Sequence, residues 1–191
     1  MLETQRLILR RWRETDREPF AQMNADPRVM QFMPARLSRE ESDRMVNRIE
    51  KHFDERGFGL FAVEVREGQS FVGFVGLAVP NFETHFTPCV EIGWRIAADY
   101  WNRGFATEGA KRVLSYSFDT LGLDEVVSFT VPANLPSRRV MEKIGMHRAP
   151  EDDFDHPRIP EGHPLRRHLL YRIARGEVAK SGGQRDGGAT T

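Results

Sequence analysis

The sequence predicts a single mixed α/β domain, built on a central and mostly antiparallel sheet of six or seven strands with helices on both faces. Apolar residues recur at helical spacings before Gly57, whereas residues 58–79 and 90–96 alternate as strands do. Because these strands follow one another without intervening helices, they predict an antiparallel meander and not the βαβ order of a nucleotide-binding fold.

Composition limits the classes of function. Lysine and arginine together number 28, as do aspartate and glutamate, so the overall charge does not favour direct binding to nucleic acid. The single cysteine, Cys89, excludes an internal disulfide framework and fits a reducing compartment. No apolar run approaches the roughly 20 residues that span a bilayer, and the first residues do not resemble a signal peptide. We therefore expect a cytoplasmic protein that does not enter a membrane.

The first third of the chain predicts one strand followed by helices. Residues 6–12 alternate like an edge strand. Residues 15–18 have the spacing of a capping box and predict a short helix, and the Asp-Pro pair at 26–27 predicts a further helix start. A second capping box at 38–41 opens a longer helix that should end at Gly57.

The middle of the chain predicts a hairpin, a loop, and then a strand that leads into a helix. Strands at 58–65 and 71–79 are separated by a short segment containing a glycine, as in a hairpin. After a polar loop at 80–88, residues 90–96 form the next strand, and a turn containing Gly104 begins a helix. Free N–H groups at the positive end of that helix suit a phosphate or pyrophosphate.

The last third predicts another strand, a helix capped by Asn134 and closed by Gly145, an irregular excursion, and a closing strand at 165–174. Residues 176–191 are rich in glycine and polar side chains, so we expect a disordered tail there. No internal repeat or second domain boundary is visible, and the folded domain is predicted to comprise residues 1–175.

Three groups of reactive or charged side chains are weighed against simpler roles. Four histidines come late in the chain, at His147, His156, His163 and His168. Their spacings do not match a zinc signature, so surface or substrate-loop positions are favoured over a metal site. Four arginines come early, at Arg10, Arg11, Arg13 and Arg17. A patch for an acidic partner is the functional alternative for these arginines, and a solvated face is the simpler interpretation. Cys89 is more simply a buried apolar residue than a nucleophile.

Three segments in a fixed order carry a resemblance to a known family. They are Leu2 to Arg10, then Glu91-Ile92-Gly93-Trp94 with Tyr100-Trp101-Asn102-Arg103-Gly104-Phe105-Ala106-Thr107-Glu108, then Asn134-x-x-Ser137-x-x-Val140-Met141-Glu142-Lys143-x-Gly145-Met146. Together they resemble the GCN5-related N-acetyltransferases (GNAT), and within them the Rim-type ribosomal-protein N-terminal acetyltransferases. The resemblance covers about residues 2–174 and implies a GNAT-like domain that uses acetyl-CoA as a co-substrate and no metal.

Two positions depart from the family pattern. Where many relatives have glutamine or arginine, three residues before the central glycine, this chain has Trp101, which is frequent in the Rim-like subgroup. Where many relatives have a tyrosine that protonates the leaving thiolate, this chain has Met141, which cannot donate a proton. The subgroup resemblance therefore points to Ser137 as the acid.

The resemblance also implies how the cofactor is held. Backbone groups around Trp94 to Ile96 would pair with the pantetheine arm, and one N–H would polarise the thioester carbonyl. Amides of residues 102–107 would cradle the pyrophosphate, and Asn134 would bond the pantetheine or its phosphate end. The predicted cofactor-binding residues are Trp94, Arg95, Ile96, Asn102, Arg103, Gly104, Phe105, Ala106, Thr107 and Asn134.

An attacking amine must be neutral, so a base is needed, and Glu91 is the first choice because it opens the central strand. The simpler alternative for Glu91 is a structural ion pair with an arginine. For Ser137 the alternative is a hydroxyl bonded to backbone in the first turn of a helix.

The predicted function is transfer of an acetyl group from acetyl-CoA to a primary amine by direct attack through a tetrahedral intermediate. The acceptor is either a protein N-terminal amine or a small-molecule amine, and a homodimer is left open. The competing hypothesis is a catalytically silent CoA-binding sensor or interaction module, which the Met141 departure favours. A metal hydrolase built on the late histidines is a weaker third hypothesis.

Overall fold

The computed structural model describes residues 1–180, and within this range it has nine strands and four α-helices. The strands are β1 (Leu2–Glu3), β2 (Leu7–Arg10), β3 (Leu60–Val65), β4 (Ser70–Ala78), β5 (Glu91–Ile96), β6 (Glu125–Thr130), β7 (His147–Arg148), β8 (Phe154–Asp155) and β9 (Arg167–Ala174). The helices are α1 (Arg17–Ala25), α2 (Arg39–Arg56), α3 (Phe105–Ser115), which continues into a π-helical turn, and α4 (Leu135–Lys143). Three strands have only two residues, and the six longer ones form the predicted sheet.

The sheet is mixed, with the order β1-β2-β3-β4-β5-β6-β9-β7, and β8 pairs with β9. Every pairing between described strands is antiparallel except that between β5 and β6, which is parallel. The prediction of a single, mostly antiparallel α/β domain is confirmed. The one parallel junction joins β5 to β6 at Glu91 and Val127.

Local capping signals predict α2 correctly. Ser38 Oγ accepts a hydrogen bond from the Glu41 N–H at 3.2 Å, and Glu41 Oε2 accepts one from the Ser38 N–H at 2.7 Å. These reciprocal bonds satisfy two donors that the helix itself cannot pair. The helix ends at Gly57, whose φ of 77° is the left-handed conformation that glycine adopts without strain.

Two other start signals are used differently. The helix expected from residues 15–18 begins at Arg17, because the Asp16 carboxylate is bonded to the backbone N–H of Arg13 and to the Arg10 guanidinium. The helix expected at residues 26–27 is wrong. Asp26 Oδ1 instead accepts from the Arg28 N–H at 2.8 Å, and turns without a helix lead to α2.

Helices cover both faces of the sheet. On one face α3 packs against β4 and β5, where a side chain added at Gly109 would lie 3.2 Å from Val75. On the other face α1 packs against β4 and α2 packs on α1. A single large core joins these layers and includes Phe20, Val46, Val75, Ile92, Val113 and Met141.

The end of the chain follows β9. A short 3₁₀ helix, Arg175–Lys180, covers the first residues of the predicted tail, and residues 181–191 lie outside the described part of the chain. The domain limit at 175 and the disordered tail over 176–191 stay predictions. None of the helices within residues 1–180 has the length and apolar character needed to cross a membrane.

Candidate active site

The parallel junction between β5 and β6 opens the sheet. Within the described residues the two strands pair at one position, Glu91 opposite Val127, where the Val127 N–H donates to the Val90 carbonyl at 2.9 Å. Backbone groups alternate between the two edges of a strand, so the Ile92 carbonyl and both backbone groups of Trp94 are directed towards the edge that β6 has left. This edge can pair with an extended ligand as a further strand would.

A tryptophan closes the far end of this open edge. The indole N–H of Trp101 donates to the Ile96 carbonyl oxygen at 2.7 Å, while the side chain keeps 39% of its surface exposed. The bond fixes the turn between β5 and α3 against the strand. Trp101, which departs from the broad family pattern, therefore has a structural role, because its indole N–H holds the turn to β5.

The amino terminus of α3 is built to receive an anion. Gly104 precedes the helix with a φ of 79°, and no side chain caps the first turn. The amides of Phe105, Ala106 and Thr107 are therefore free of intrahelical partners and lie at the positive end of the helix. Asn102 is also left-handed, with a φ of 60°, which turns the preceding backbone towards the same point.

The open edge and the helix end share a cavity of about 490 Å³. It is lined by every predicted cofactor residue except Arg103, and also by Ser137. The Arg103 guanidinium lies over the Tyr100 ring, 5.2 Å from its centre, and the Arg103 carbonyl accepts from Arg6 Nη1 at 2.9 Å. Arg103 is thus positioned at the turn and outside the lining of the cavity.

Helix α4 contributes the opposite wall. Asn134 Oδ1 accepts from the Ser137 N–H at 3.3 Å, and Asn134 Nδ2 donates to Thr130 Oγ1 at 2.9 Å, so this amide caps the helix as predicted. Within residues 1–180 the Ser137 hydroxyl makes no hydrogen bond, unlike the backbone-bonded alternative considered for it. Met141, on the same helix, is 1% exposed and belongs to the core.

Glu91 lies where β5 and β6 part and is not part of the cavity lining. Its neighbours in register are the apolar Ala78 and Val127, and no arginine pairs with it within the described residues. Burial raises the pKa of the Glu91 carboxyl to about 8, although the side chain remains partly exposed. The carboxyl therefore keeps its proton to a higher pH than an exposed glutamate does, and within the described residues the alternative of a structural ion pair is not observed.

Cys89 does not have the character of a nucleophile. Its side chain is half-buried beside Phe82 and Phe129, and burial raises the pKa of the thiol to about 11. The thiol is protonated at neutral pH, because the reactive thiolate forms only near that pKa.

The late histidines separate into different surroundings. His156 and His168 lie 5.1 Å apart, ring centre to ring centre, within an aromatic cluster that includes Phe82, Phe129 and Phe154. Burial lowers the pKa of both histidines, so both are neutral near pH 7. Among the described residues, no three or more His, Cys, Asp or Glu side chains are grouped as metal ligands.

The segment between α1 and α2 forms a wall that sequence reasoning missed. Arg28, Val29, Gln31, Phe32 and Met33 line the cavity, and Arg28 Nη2 lies 3.3 Å from Asp99 Oδ1, across its mouth. The segment was expected to begin a helix at residues 26–27. The segment has a run of apolar residues but no signal for the end of a helix. This combination was the available sign that its side chains face a cleft.

Comparison with known proteins identifies the fold and the chemistry. The sequence profile described as Acetyltransferase (GNAT) domain matches residues 6–147. The chain is 30% identical over 173 residues to the uncharacterized N-acetyltransferase YnaD of Bacillus subtilis, covering 90% of this chain and 95% of YnaD. It is 36% identical over 129 residues to the FsC-acetyl coenzyme A-N(2)-transacetylase of Aspergillus fumigatus, covering 63% of this chain and 52% of that protein.

A solved structure gives the same result in three dimensions. The crystal structure of the GNAT-family acetyltransferase from Bacillus anthracis superposes with a TM-score of 0.76 at 29% sequence identity, covering 92% of this chain and 99% of that one. The narrower likeness to Rim-type enzymes stays a prediction.

Proposed function

We propose that the cleft between β5 and β6 binds acetyl-CoA and that Glu91 and Ser137 move the protons of the reaction. The chain belongs to the GNAT family of acetyltransferases, and this membership is the starting point of the proposal. The chain is an acyltransferase that transfers an acetyl group to an amine, as its N-acetyltransferase relatives indicate. The single observation that carries the proposal for the site is the cavity, which joins an unpaired strand edge to an uncapped helix end.

The cofactor fits this cavity by the chemistry of its parts. The pantetheine arm carries amide groups, which match the backbone groups of Trp94 and the N–H of Ile96 at the open edge of β5, while the Ile96 carbonyl is bonded to Trp101. The pyrophosphate matches the free amides at the start of α3, beside Gly104. Lys143 and Arg139 also line the cavity and add positive charge for the remaining phosphate.

Acetyl transfer requires stabilisation of an oxyanion. When the amine attacks the thioester carbonyl, a C–N bond forms and the carbonyl oxygen becomes negative. The Trp94 N–H, directed to the open edge, donates to this oxygen. Such a fixed donor favours the tetrahedral intermediate over the ground state, because it is already oriented before the charge develops.

Glu91 acts as the base. Its carboxylate accepts the amine proton, directly or through a water, and its raised pKa of about 8 makes it a stronger base than an exposed glutamate. The C–S bond then breaks, and the Ser137 hydroxyl gives a proton to the thiolate that leaves. Met141 has no part in this step, because it is buried in the core and Ser137 faces the cavity.

The acceptor is a primary amine, of a protein N-terminus or of a small molecule. Both remain open, since function depends on the site and not on the fold. One wall of the acceptor side is the α1–α2 segment, which lines the cavity. The homodimer stays a prediction.

Two measurements test the proposal. Calorimetry with acetyl-CoA should give one site per chain, and a variant Gly104→Val should weaken binding, since a β-branched residue is strained at this φ. Thiol release from acetyl-CoA should then be followed over panels of peptides, polyamines, amino sugars and amino acids. A different result would indicate the silent CoA-binding sensor instead. In that case the protein would bind acetyl-CoA, but with every acceptor its rate of thiol release would not exceed that of Glu91→Gln.

A further inference from the structure

Three residues of β5 form one surface on the acceptor side. Successive side chains of a strand point to opposite faces, so Glu91, Gly93 and Arg95 share the face that α1 covers, whereas Ile92 and Ile96 are buried on the other. Gly93 separates the two ends of this row. The row therefore has a carboxyl at one end, a guanidinium at the other, and no side chain between them.

The Arg95 guanidinium lacks an acidic partner within the described residues. Nη1 donates to Asn24 Oδ1 at 2.6 Å, Nη2 lies 3.6 Å from Met33 Sδ, and the group lies 5.4 Å from the centre of the Phe74 ring. A guanidinium has five N–H donors, and these contacts use only two of them. Burial lowers the pKa of Arg95 to about 10, as expected for a cation withdrawn from water without a counter-ion.

The space beside Gly93 is open. Among the described residues, a side chain added at Gly93 would meet no atom within 4 Å, while Arg95 itself lines the cavity. Glu91 is likewise without an ionic partner in the described residues. The row is therefore an open trough with a carboxyl at one end and a guanidinium at the other, and neither group has an ionic partner within the described residues.

We propose that Arg95 binds a carboxylate on the amine acceptor, so that the enzyme acetylates amines that also carry a carboxylate several bonds away, such as amino acids and short peptides. The inference rests on the proposed role of Glu91, which receives the amine at the other end of the trough. At about 3.3 Å per residue, the Cα atoms of Glu91 and Arg95 are roughly 13 Å apart.

Arg95 is better placed for the acceptor than for acetyl-CoA. The phosphates are expected at the start of α3, whereas the Arg95 side chain extends to Asn24 on α1. Its backbone groups point to β4, in register with Phe74, because backbone groups alternate between the two edges of a strand. A substitution of the Arg95 side chain therefore leaves the open edge at Trp94 unchanged.

The test uses the CoA-saturated protein and matched probes. Alanine, dialanine and trialanine, each as free acid and as C-terminal amide, are titrated by calorimetry and assayed for thiol release with acetyl-CoA. For at least one length, the wild type should bind the acid about tenfold or more tightly than the amide, as expected for a bidentate charged hydrogen bond. Arg95→Met should bring this ratio close to one, and Arg95→Lys should restore part of it.

Controls separate this inference from the proposed function. Arg44→Met removes an exposed positive charge of α2 outside the cavity and should keep the preference for the acid. An acid preference in binding without any thiol release would support the Arg95 site and count against the catalytic proposal. Equal binding of acid and amide at every length, no binding of either, or a preference that survives Arg95→Met would overturn the inference. A higher KM for acetyl-CoA in Arg95→Met, with the preference intact, would assign the side chain to the cofactor.

Discussion

Two arginines lie in one cross-strand row of the sheet, and their surroundings are opposite. Arg10 is opposite Ala62, Ala62 is opposite Phe74, and Phe74 is opposite Arg95, so both arginines face the layer of α1 and α2. Arg10 is 6% exposed and fully partnered. Arg95 has no acidic partner in the part of the chain that the structure describes.

The partners of Arg10 explain the difference. Its Nη1 and Nη2 form a bidentate pair with Asp16 at 2.7 and 2.9 Å, and its Nε donates to Glu64 Oε2 at 2.9 Å. The hydrogen bond with Asp16 is the largest cause that raises the pKa of Arg10, whereas burial lowers that of Arg95. A buried charge with its partners in place serves the fold, and a buried charge without them is ready for a ligand.

The same contrast separates two glutamates. Glu64 is 5% exposed and accepts from Arg10 and from Arg13 Nη1, which lies 3.0 Å away. Glu91 lies between apolar neighbours, and no cation pairs with it in the described range 1–177 of side chains. If the comparison is correct, changes in the Arg10 network should alter stability and changes at Glu91 should alter activity.

The largest effect is expected from Arg10→Met, which leaves Asp16 and Glu64 buried without their main counter-ion. We expect the free energy of unfolding to fall by about 3–5 kcal/mol, the usual result of breaking a buried ion pair. Urea unfolding measures it. Arg11→Met is the matched control. Arg11 pairs with Glu50, but the Arg11 side chain is 46% exposed, and exposed pairs contribute less than about 1 kcal/mol to stability. Equal losses in both variants would contradict the distinction.

The second effect is on catalysis. Glu91→Gln should lower kcat/KM about 100-fold, at the low end of the range for removal of a general base. The wild-type rate should rise with pH through about 8 as Glu91 ionises, and the variant should lose this rise. The acceptor must have an amine that is already neutral above pH 6, so that its own titration does not produce the same profile. A rise that persists in Glu91→Gln would remove Glu91 from the mechanism.

Local signals predicted the frame of the molecule but not these charges. The capping box at Ser38 and the left-handed Gly104 depend on residues close in sequence, so they are visible in it. Arg10 was expected on a solvated face, because its burial depends also on Glu64, which is 54 residues away. The contact of Arg95 with Asn24 spans 71 residues and depends on where α1 packs on the sheet. The helix wrongly expected at residues 26–27 has a local cause, since the Asp26 carboxylate accepts from the Arg28 N–H.

A smaller effect is expected at Ser137. Ser137→Ala should lower kcat roughly tenfold, less than usual for a general acid, because a thiol with a pKa near 8.5 can leave as the thiolate. The loss should be greatest at low pH and small above pH 9, where the thiolate needs no proton. Ser115→Ala, at the far end of α3, is the control, since Ser115 Oγ donates to the Lys111 carbonyl at 3.3 Å and lies outside the cavity lining. Equal losses at all pH values would remove Ser137 as the acid.

The smallest effect is on the free energy of unfolding, which the raised pKa of Glu91 lowers at neutral and alkaline pH. Its pKa is about 8 in the fold and about 4.3 in an unfolded chain, so between these values the unfolded chain has released a proton that the folded protein retains. The wild type therefore loses stability as pH rises through this window, and Glu91→Gln, which does not titrate, avoids the loss. We expect the variant to equal the wild type near pH 4 and to exceed it above pH 8.

The size of this gain should be about 1 kcal/mol, well below the full linkage value, because the partly exposed carboxyl is screened by solvent. Urea unfolding at pH 4, 6 and 9 measures it. Arg10→Met is the contrasting variant, since it should be less stable than the wild type at pH 6 and at pH 9. If Glu91→Gln is less stable than the wild type at pH 9, then Glu91 has a stabilising partner in the fold. In that case Glu91 and Arg10 would no longer represent two different kinds of buried charge.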